Sequence, residues 1–339
     1  TCLDDCTLLS SSTKIYEICP KLRNRKVKSQ LDLVTGNQHI PTVTRPKILG
    51  VTFDNMLTFC AHGKSVQNKM QARTNILKSL AGSSWGKDKE TLTITYKAIG
   101  RSIANYAAPI WSPQLSTSSW NDIQRAQNAA LRTITGCHVM SNQDHLHRET
   151  NIIPIKEHNA MLSKQYTLTC HLPDHPSYSL VNQGPPERNL RKYAAREYKE
   201  NIESFIPRGG LNQANLKLGM KSIHTVDVRS AINNYSTNPV TTNRPPPIDG
   251  SEQELPRRTR ATLAQLRSGW CHITNHYMSR INHEIQDICP NCGISPHDVH
   301  HLFNCPRKPT TLEITSLWTN PREAAIFLDL DTEENDEEI

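Results

Sequence analysis

The sequence predicts a mostly α-helical chain with a small β-hairpin portion, a C-terminal Cys/His knuckle and disordered linkers. Three observations carry this. Apolar residues recur at helical spacing through residues 61–172. Runs suited to strands are confined to the first sixty positions. Three cysteines and an adjacent histidine pair crowd into CPNCGISPHDVHHLFNCP at 289–306.

In chain order, TCLDDCTLLSSS suits a hairpin with Asp4 and Asp5 at its tip. KLRNRKVKSQLDLV is basic, then alternating. RPKILGVTFDNMLTF predicts a strand through Ile48–Phe53, with Gly50 allowing a close backbone approach. Val66, Met70, Leu77 and Leu80 then share one helical face. Leu92, Tyr96, Ile99, Ile103 and Tyr106 form a second apolar seam, with acids near the helix start in SSWGKDKETL. WNDIQRAQNAALRTITG buries Ile123, Ala126, Ala130 and Ile134, and Gly136 stops that helix. A further helix is expected from about Glu149 to Leu172. Residues 173–250 hold two stretches rich in Pro, Asn, Thr and Ser and are expected to be poorly ordered. LPRRTRATLAQLRSGW resumes as a basic helix after Pro256.

The 339 residues allow two or three domains, and 36% hydrophobic with 6% aromatic content argues against one core spanning them all. The net charge is +7, yet the end FLDLDTEENDEEI carries only acids. The basic body favours polyanion partners, nucleic acid foremost; the plain counterpart is a solvated basic surface. No run of eighteen apolar residues and no charged-then-apolar leader is present, so neither a membrane span nor a secretory signal is expected, and no membrane partner. Ten cysteines without a regular framework suit a reducing compartment, nucleus or cytoplasm. The opening Thr and the strand-like text behind it read as the interior of a folded unit, so the chain is expected to be truncated there.

Two clusters carry chemistry. Cys289 and Cys292 are two residues apart, a loop length that turns both thiolates to one ion. His300 and Cys305 are separated by four residues, about one helical turn, giving C-x2-C-x7-H-x4-C. Three thiolates and an imidazole suit tetrahedral Zn2+ with no open catalytic position. His301 competes for the fourth place, and His297 competes more weakly. Arg257, Arg258, Arg260 and Arg267 upstream, with Arg307 and Lys308 downstream, place positive charge where phosphates can meet it. A purely structural clip explains the cluster equally well. The second cluster, Asp4–Asp5, suits a divalent cation only when another carboxylate joins it; by itself it is most often a polar turn.

These stretches resemble the C-terminal part of a jockey-like non-LTR retrotransposon reverse transcriptase. LDDCTLLSSS is similar to the family's [YF]-x-D-D hairpin, and RPKILGVTFDNMLTFCAHGKSV to the strand pair and helix entry that follow it. KAIGRSIANYAAPIWSP, IQRAQNAALRTITG and the run from HLHRET to IIPI resemble the helical thumb. LPRRTRATLAQLRSG, CPNCGISPHDVHHLFNCP and LWTNPREAA resemble the zinc-knuckle end. The resemblance implies a remnant of the polymerase palm at 1–60, a thumb-like helical bundle at 61–172, a linker at 173–250, a basic helix with a CCHC zinc knuckle at 251–321 and an acidic tail at 322–339. It implies RNA-templated DNA synthesis with Mg2+ in the palm, and element RNA and target DNA as partners. Asp4 and Asp5 fall on the family's paired aspartates, Lys28 on its motif-D lysine, and Leu49 and Gly50 on its primer grip. Cys289, Cys292, His300 and Cys305 fall on its CCHC ligands. Cys2 stands where the family has an aromatic residue, and Leu3 where it has a small one. The fingers, the endonuclease and the strand bearing the other metal-binding aspartate have no counterpart in these residues. Polymerase activity is therefore not expected of this chain by itself, and Mg2+ enters only if the catalytic site is completed.

Overall fold

The computed structural model describes residues 33–35, 38–40, 43–82, 86–182 and 202–330. Asp4, Asp5 and Lys28, and the acidic stretch 331–339, lie outside the described residues. The chain divides at Pro46 into two compact units. In the first, β1 (Leu33–Thr35) pairs antiparallel with β2 (Gln38–Ile40), with Leu33 opposite Ile40.

The second unit opens on β3 (Lys47–Ile48) and β4 (Val51–Thr52), an antiparallel pair. The expected single strand through 48–53 is therefore a tight hairpin. Leu49 and Gly50 both take positive φ (45° and 83°), the conformation that a two-residue turn between twisted strands needs. Gly50 is also where another chain segment comes close. A Cβ there would stand 3.2 Å from the Tyr106 ring, whose hydroxyl donates to the Leu49 carbonyl at 2.7 Å. Asp54 gathers the loop that follows, accepting from the N–H groups of Met56, Thr58 and Phe59. Burial raises its carboxyl, but those N–H donors and the Thr58 hydroxyl lower it further.

Helices make up most of the remainder. α1 (Cys60–Leu80) buries Val66, Met70 and Leu77, as its spacing predicts. α2 (Lys89–Tyr96) is capped by Asp88, which accepts from the Thr91 N–H. A π-helical turn at Lys97–Arg101 then shifts the phase, leading into α3 (Ser102–Asn105). The predicted seam therefore breaks: Leu92 and Tyr96 are buried, while Tyr106 lies exposed. α4 (Ala108–Trp111) supplies the fully buried Trp111 to the first core cluster, which also holds Met70, Ile123 and Ile155. α5 (Thr117–Thr135) lies along α1 and ends at Gly136 (φ 73°). Glu149 and Thr150 end a separate helix, α6 (Gln143–Thr150), and the helix expected from about Glu149 to Leu172 begins later, as α7 (Ile155–Thr169). Asn151 takes a left-handed conformation, and Pro154 restarts the chain at the N-cap of α7. α8 (Tyr178–Asn182) follows.

The region expected to be a poorly ordered linker instead contains α9 (Gln213–Asn233), opened by a reciprocal Asn212/Asn215 capping box. Ile223 joins Met161 and Leu168 of α7 in a buried cluster. Gly219 lets the two helices approach, since a Cβ there would stand 2.8 Å from Leu168 Cδ2. Pro and Asn content marked the loops around this helix and hid its apolar face.

α10 (Arg257–Ser268) is the predicted basic helix; Gly269 (φ 81°) ends it. α11 (Asn275–Ile281) and α12 (Val299–Asn304) flank the Cys/His loop. α13 (Ser316–Thr319) and α14 (Pro321–Phe327) close the described chain. Ala324 and Ala325 of α14 are fully buried with Leu263, Leu266, Phe303 and Trp318. The start of the expected acidic tail is thus part of a core. Each fully buried Leu or Ile in these clusters contributes about 1.5–3 kcal/mol.

Gly136 offers a direct test of how α5 meets α10. A Cβ there would fall 2.7 Å from the Ala261 Cβ, and its φ of 73° disfavours any other residue. Gly136→Ala is expected to cost about 1–3 kcal/mol, read as a lowered urea midpoint with an unchanged slope.

Candidate metal centre

The C-terminal cluster is built by two short pieces of backbone. The first is a tight loop: the Gly293 N–H donates to the Cys289 carbonyl, and the Cys289 N–H to the Ile294 carbonyl, both at 2.9 Å. Gly293 (φ 74°) makes the reversal. The second is α12, whose N-cap Asp298 accepts from the His301 N–H at 2.8 Å and sets the helix phase. In that phase His301 and Cys305 stand four residues apart on one face.

The ligand atoms of Cys289, Cys292, His301 and Cys305 all lie within 4.8 Å of one another. Cys289 Sγ is 3.9 Å from Cys305 Sγ, and Cys292 Sγ is 3.2 Å from His301 Nε2. A tetrahedral ion with metal–sulfur bonds of about 2.3 Å would hold sulfurs about 3.8 Å apart, so the donors stand ready for a metal ion. The sequence reading is corrected at one ligand. His300 is exposed, and its neighbour His301 joins the three cysteines, giving C-x2-C-x8-H-x3-C. The signal lay in helical spacing: i and i+4 share a face, and i and i+5 do not. His297, the weaker competitor, braces the site instead. Its Nδ1 accepts from the Asn275 N–H at 2.9 Å, and its own N–H donates to Asp287 at 2.8 Å.

Burial opposes ionisation of these thiols, but backbone donors oppose burial. The N–H groups of Cys292 and Asn291 bring Cys289 below its usual value, and that of Arg307 does the same for Cys305. Cys292 moves up through burial and the neighbouring thiols. Sulfur and imidazole donors together favour a soft or borderline cation.

The predicted basic residues divide into two groups. Arg258 and Arg307 are exposed. Lys308 pairs with Asp329 at 2.7 Å and lies 4.9 Å over the Phe327 ring. Arg257 donates to the carbonyls of Thr133 and Ile134. Arg260 and Arg267 are buried, which corrects their expected role at phosphates. Arg267 is 0% exposed; its Nη1 meets both oxygens of Glu149 at 3.0 and 3.1 Å, and its Nη2 meets Glu252. Lys89 bridges the same two carboxylates at 3.3 and 2.8 Å. Arg260 reaches Glu90 at 2.5 Å. Composition counts these arginines as surface charge, whereas the structure uses them to fasten α10 to α2 and α6. A cleft of about 360 Å³ opens on this network, lined by Lys97, Asn151, Asp249 and Gln253 among others.

At the expected primer grip, Leu49 is 82% exposed at the tip of the β3–β4 turn, with Gly50 beside it. Among the described residues, no helix is long and apolar enough to cross a membrane.

No family model matches the chain, and no solved structure matches it. Two curated Drosophila melanogaster proteins do. The probable RNA-directed DNA polymerase from transposon BS is 27% identical over 165 residues, covering 47% of this chain and 17% of the relative. The probable RNA-directed DNA polymerase from transposon X-element is 25% identical over 187 residues, covering 55% of this chain and 20% of the relative. Over about half its length, the chain is thus similar to RNA-directed DNA polymerases of non-LTR retrotransposons.

Proposed function

We propose that this chain is the nucleic-acid-binding C-terminal part of a retrotransposon RNA-directed DNA polymerase, held together by zinc and not able to synthesise DNA alone. The observation that carries this reading is the preformed Cys289, Cys292, His301 and Cys305 cluster, in a chain similar to such polymerases. Three thiolates and one imidazole form a closed tetrahedral set, which suits zinc in a structural rather than a catalytic role. RNA and DNA are the partners, met by the exposed Arg258 of α10 and by the exposed Arg307 two residues past Cys305. Catalysis needs magnesium held by more carboxylates than the Asp4–Asp5 pair, so the activity belongs to the complete polymerase.

Burial of Arg260 and Arg267 favours a second reading, in which this end only closes the fold. One set of measurements separates the two. The purified chain is expected to hold one zinc per molecule and to bind RNA and DNA with affinity that falls steeply with salt. Zinc without nucleic-acid binding would leave the structural reading standing. Primer extension with magnesium by this chain alone would overturn the claim that it lacks catalysis.

A further inference from the structure

Of the arginines first assigned to phosphates, Arg260 and Arg267 are buried, but a different face gathers groups suited to nucleic acid. Gly269 reverses the chain at the end of α10 and sends Trp270 out beside α11. Trp270 is half-buried, and the Arg280 guanidinium lies 4.8 Å over its ring. His276 stacks beside it with ring centres 6.2 Å apart, and Arg280 Nη2 lies 3.3 Å from His276 Nε2. Beneath them the buried Tyr277 meets Trp270 edge-on and stacks on His138 at 4.6 Å, which fixes the platform from below. Asp287, the acid that meets this group, is paired with His276 at 2.8 Å.

From this arrangement we infer that the face formed by Trp270, His276 and Arg280 is a stacking platform for the bases of single-stranded nucleic acid. The inference rests on the nucleic-acid reading above and adds the strand type and the residues. A purely structural aromatic cluster accounts for Tyr277, which is buried. It does not account for exposed Arg280 laid over the half-buried indole. A single strand presents base faces that a duplex keeps stacked, and an aromatic ring under cationic side chains answers both base and phosphate. A base takes the place of the Arg280 guanidinium on the indole, leaving Arg280 to pair with an adjacent phosphate.

The test is fluorescence anisotropy with labelled short RNA and DNA single strands, and the matching duplex, on the full zinc-loaded chain. Single strands are expected to bind more tightly than the duplex. Trp270→Ala is expected to weaken single-strand binding about tenfold with an unchanged salt slope, and Trp270→Phe to retain most of it. Arg280→Ala, at an exposed position, is expected to weaken binding and lower the salt slope by about one. If the wild-type chain binds but both alanine variants match it, or if duplex is preferred, the platform is wrong and the nucleic-acid reading survives. If the wild-type chain binds no nucleic acid even at low salt, both fall.

Discussion

Cys292→Ser is expected to release the metal and to loosen more of the chain than the knuckle. A structural zinc contributes on the order of 10 kcal/mol to the peptide that binds it. The loop at 289–294 has little else to hold it: Gly293, Ile294 and Cys292 lie at or near the surface. α12, however, also supplies Val299 and Phe303 to the cluster of Leu263, Leu317 and Trp318. Loss of the metal therefore frees residues 285–310 and slackens that cluster, while α1 and α5, in other clusters, stay folded. Zinc content should fall below one per chain, and Trp318 emission should shift to the red. Proteolysis should become rapid within 285–310. His301→Ala should behave in the same way, whereas His300→Ala should keep its metal. Retained metal in Cys292→Ser, or its loss in His300→Ala, would show the ligand set to be wrong.

Arg267→Ala is expected to be the most destabilising change outside the metal centre. It removes from the interior the guanidinium that meets both Glu149 and Glu252 and also donates to the Leu317 carbonyl at 2.9 Å. Lys89 and Arg260 remain, but two buried carboxylates then share less positive charge, and breaking such a pair costs about 3–5 kcal/mol. Adding Glu149→Gln should recover part of the loss, because it removes the stranded charge. The same network predicts acid sensitivity. Burial pushes the Glu149 carboxyl up, but Arg267 and Lys89 pull it down further, to about 2 from an ordinary 4.5. A depressed carboxyl stabilises the fold above its unfolded value and loses that contribution as pH falls through the folded one. The urea midpoint of the wild-type chain should therefore drop between about pH 4.5 and about pH 2, and the drop should be smaller in Glu149→Gln. An unchanged midpoint in Arg267→Ala would mean that α10 is held by its apolar contacts alone.

Much of the helical architecture was legible because its signals are local. Val66, Met70 and Leu77 declare a buried face by spacing, Gly136 declares a stop, and Pro256 a start. α9 was hidden because composition weighs the Pro- and Asn-rich loops around it as heavily as the helix itself. The start of α7 was expected too early, at about Glu149, because Asn151 and Pro154 interrupt an apolar pattern that otherwise runs on. At the metal centre the cysteine spacing sufficed, but the choice between adjacent histidines depended on the phase of α12, and Asp298 sets that phase through one hydrogen bond.

By itself the sequence determined the helical class, the Cys/His cluster and the likeness to transposon polymerases, since each is written in residue types and their spacing along the chain. Only the tertiary structure decided the fate of the basic residues. Arg258 and Arg260 are two positions apart in the chain, yet one faces water and the other faces Glu90. A side chain's partners come from distant segments, and a charge becomes a phosphate ligand or a buried clasp according to what the fold brings against it.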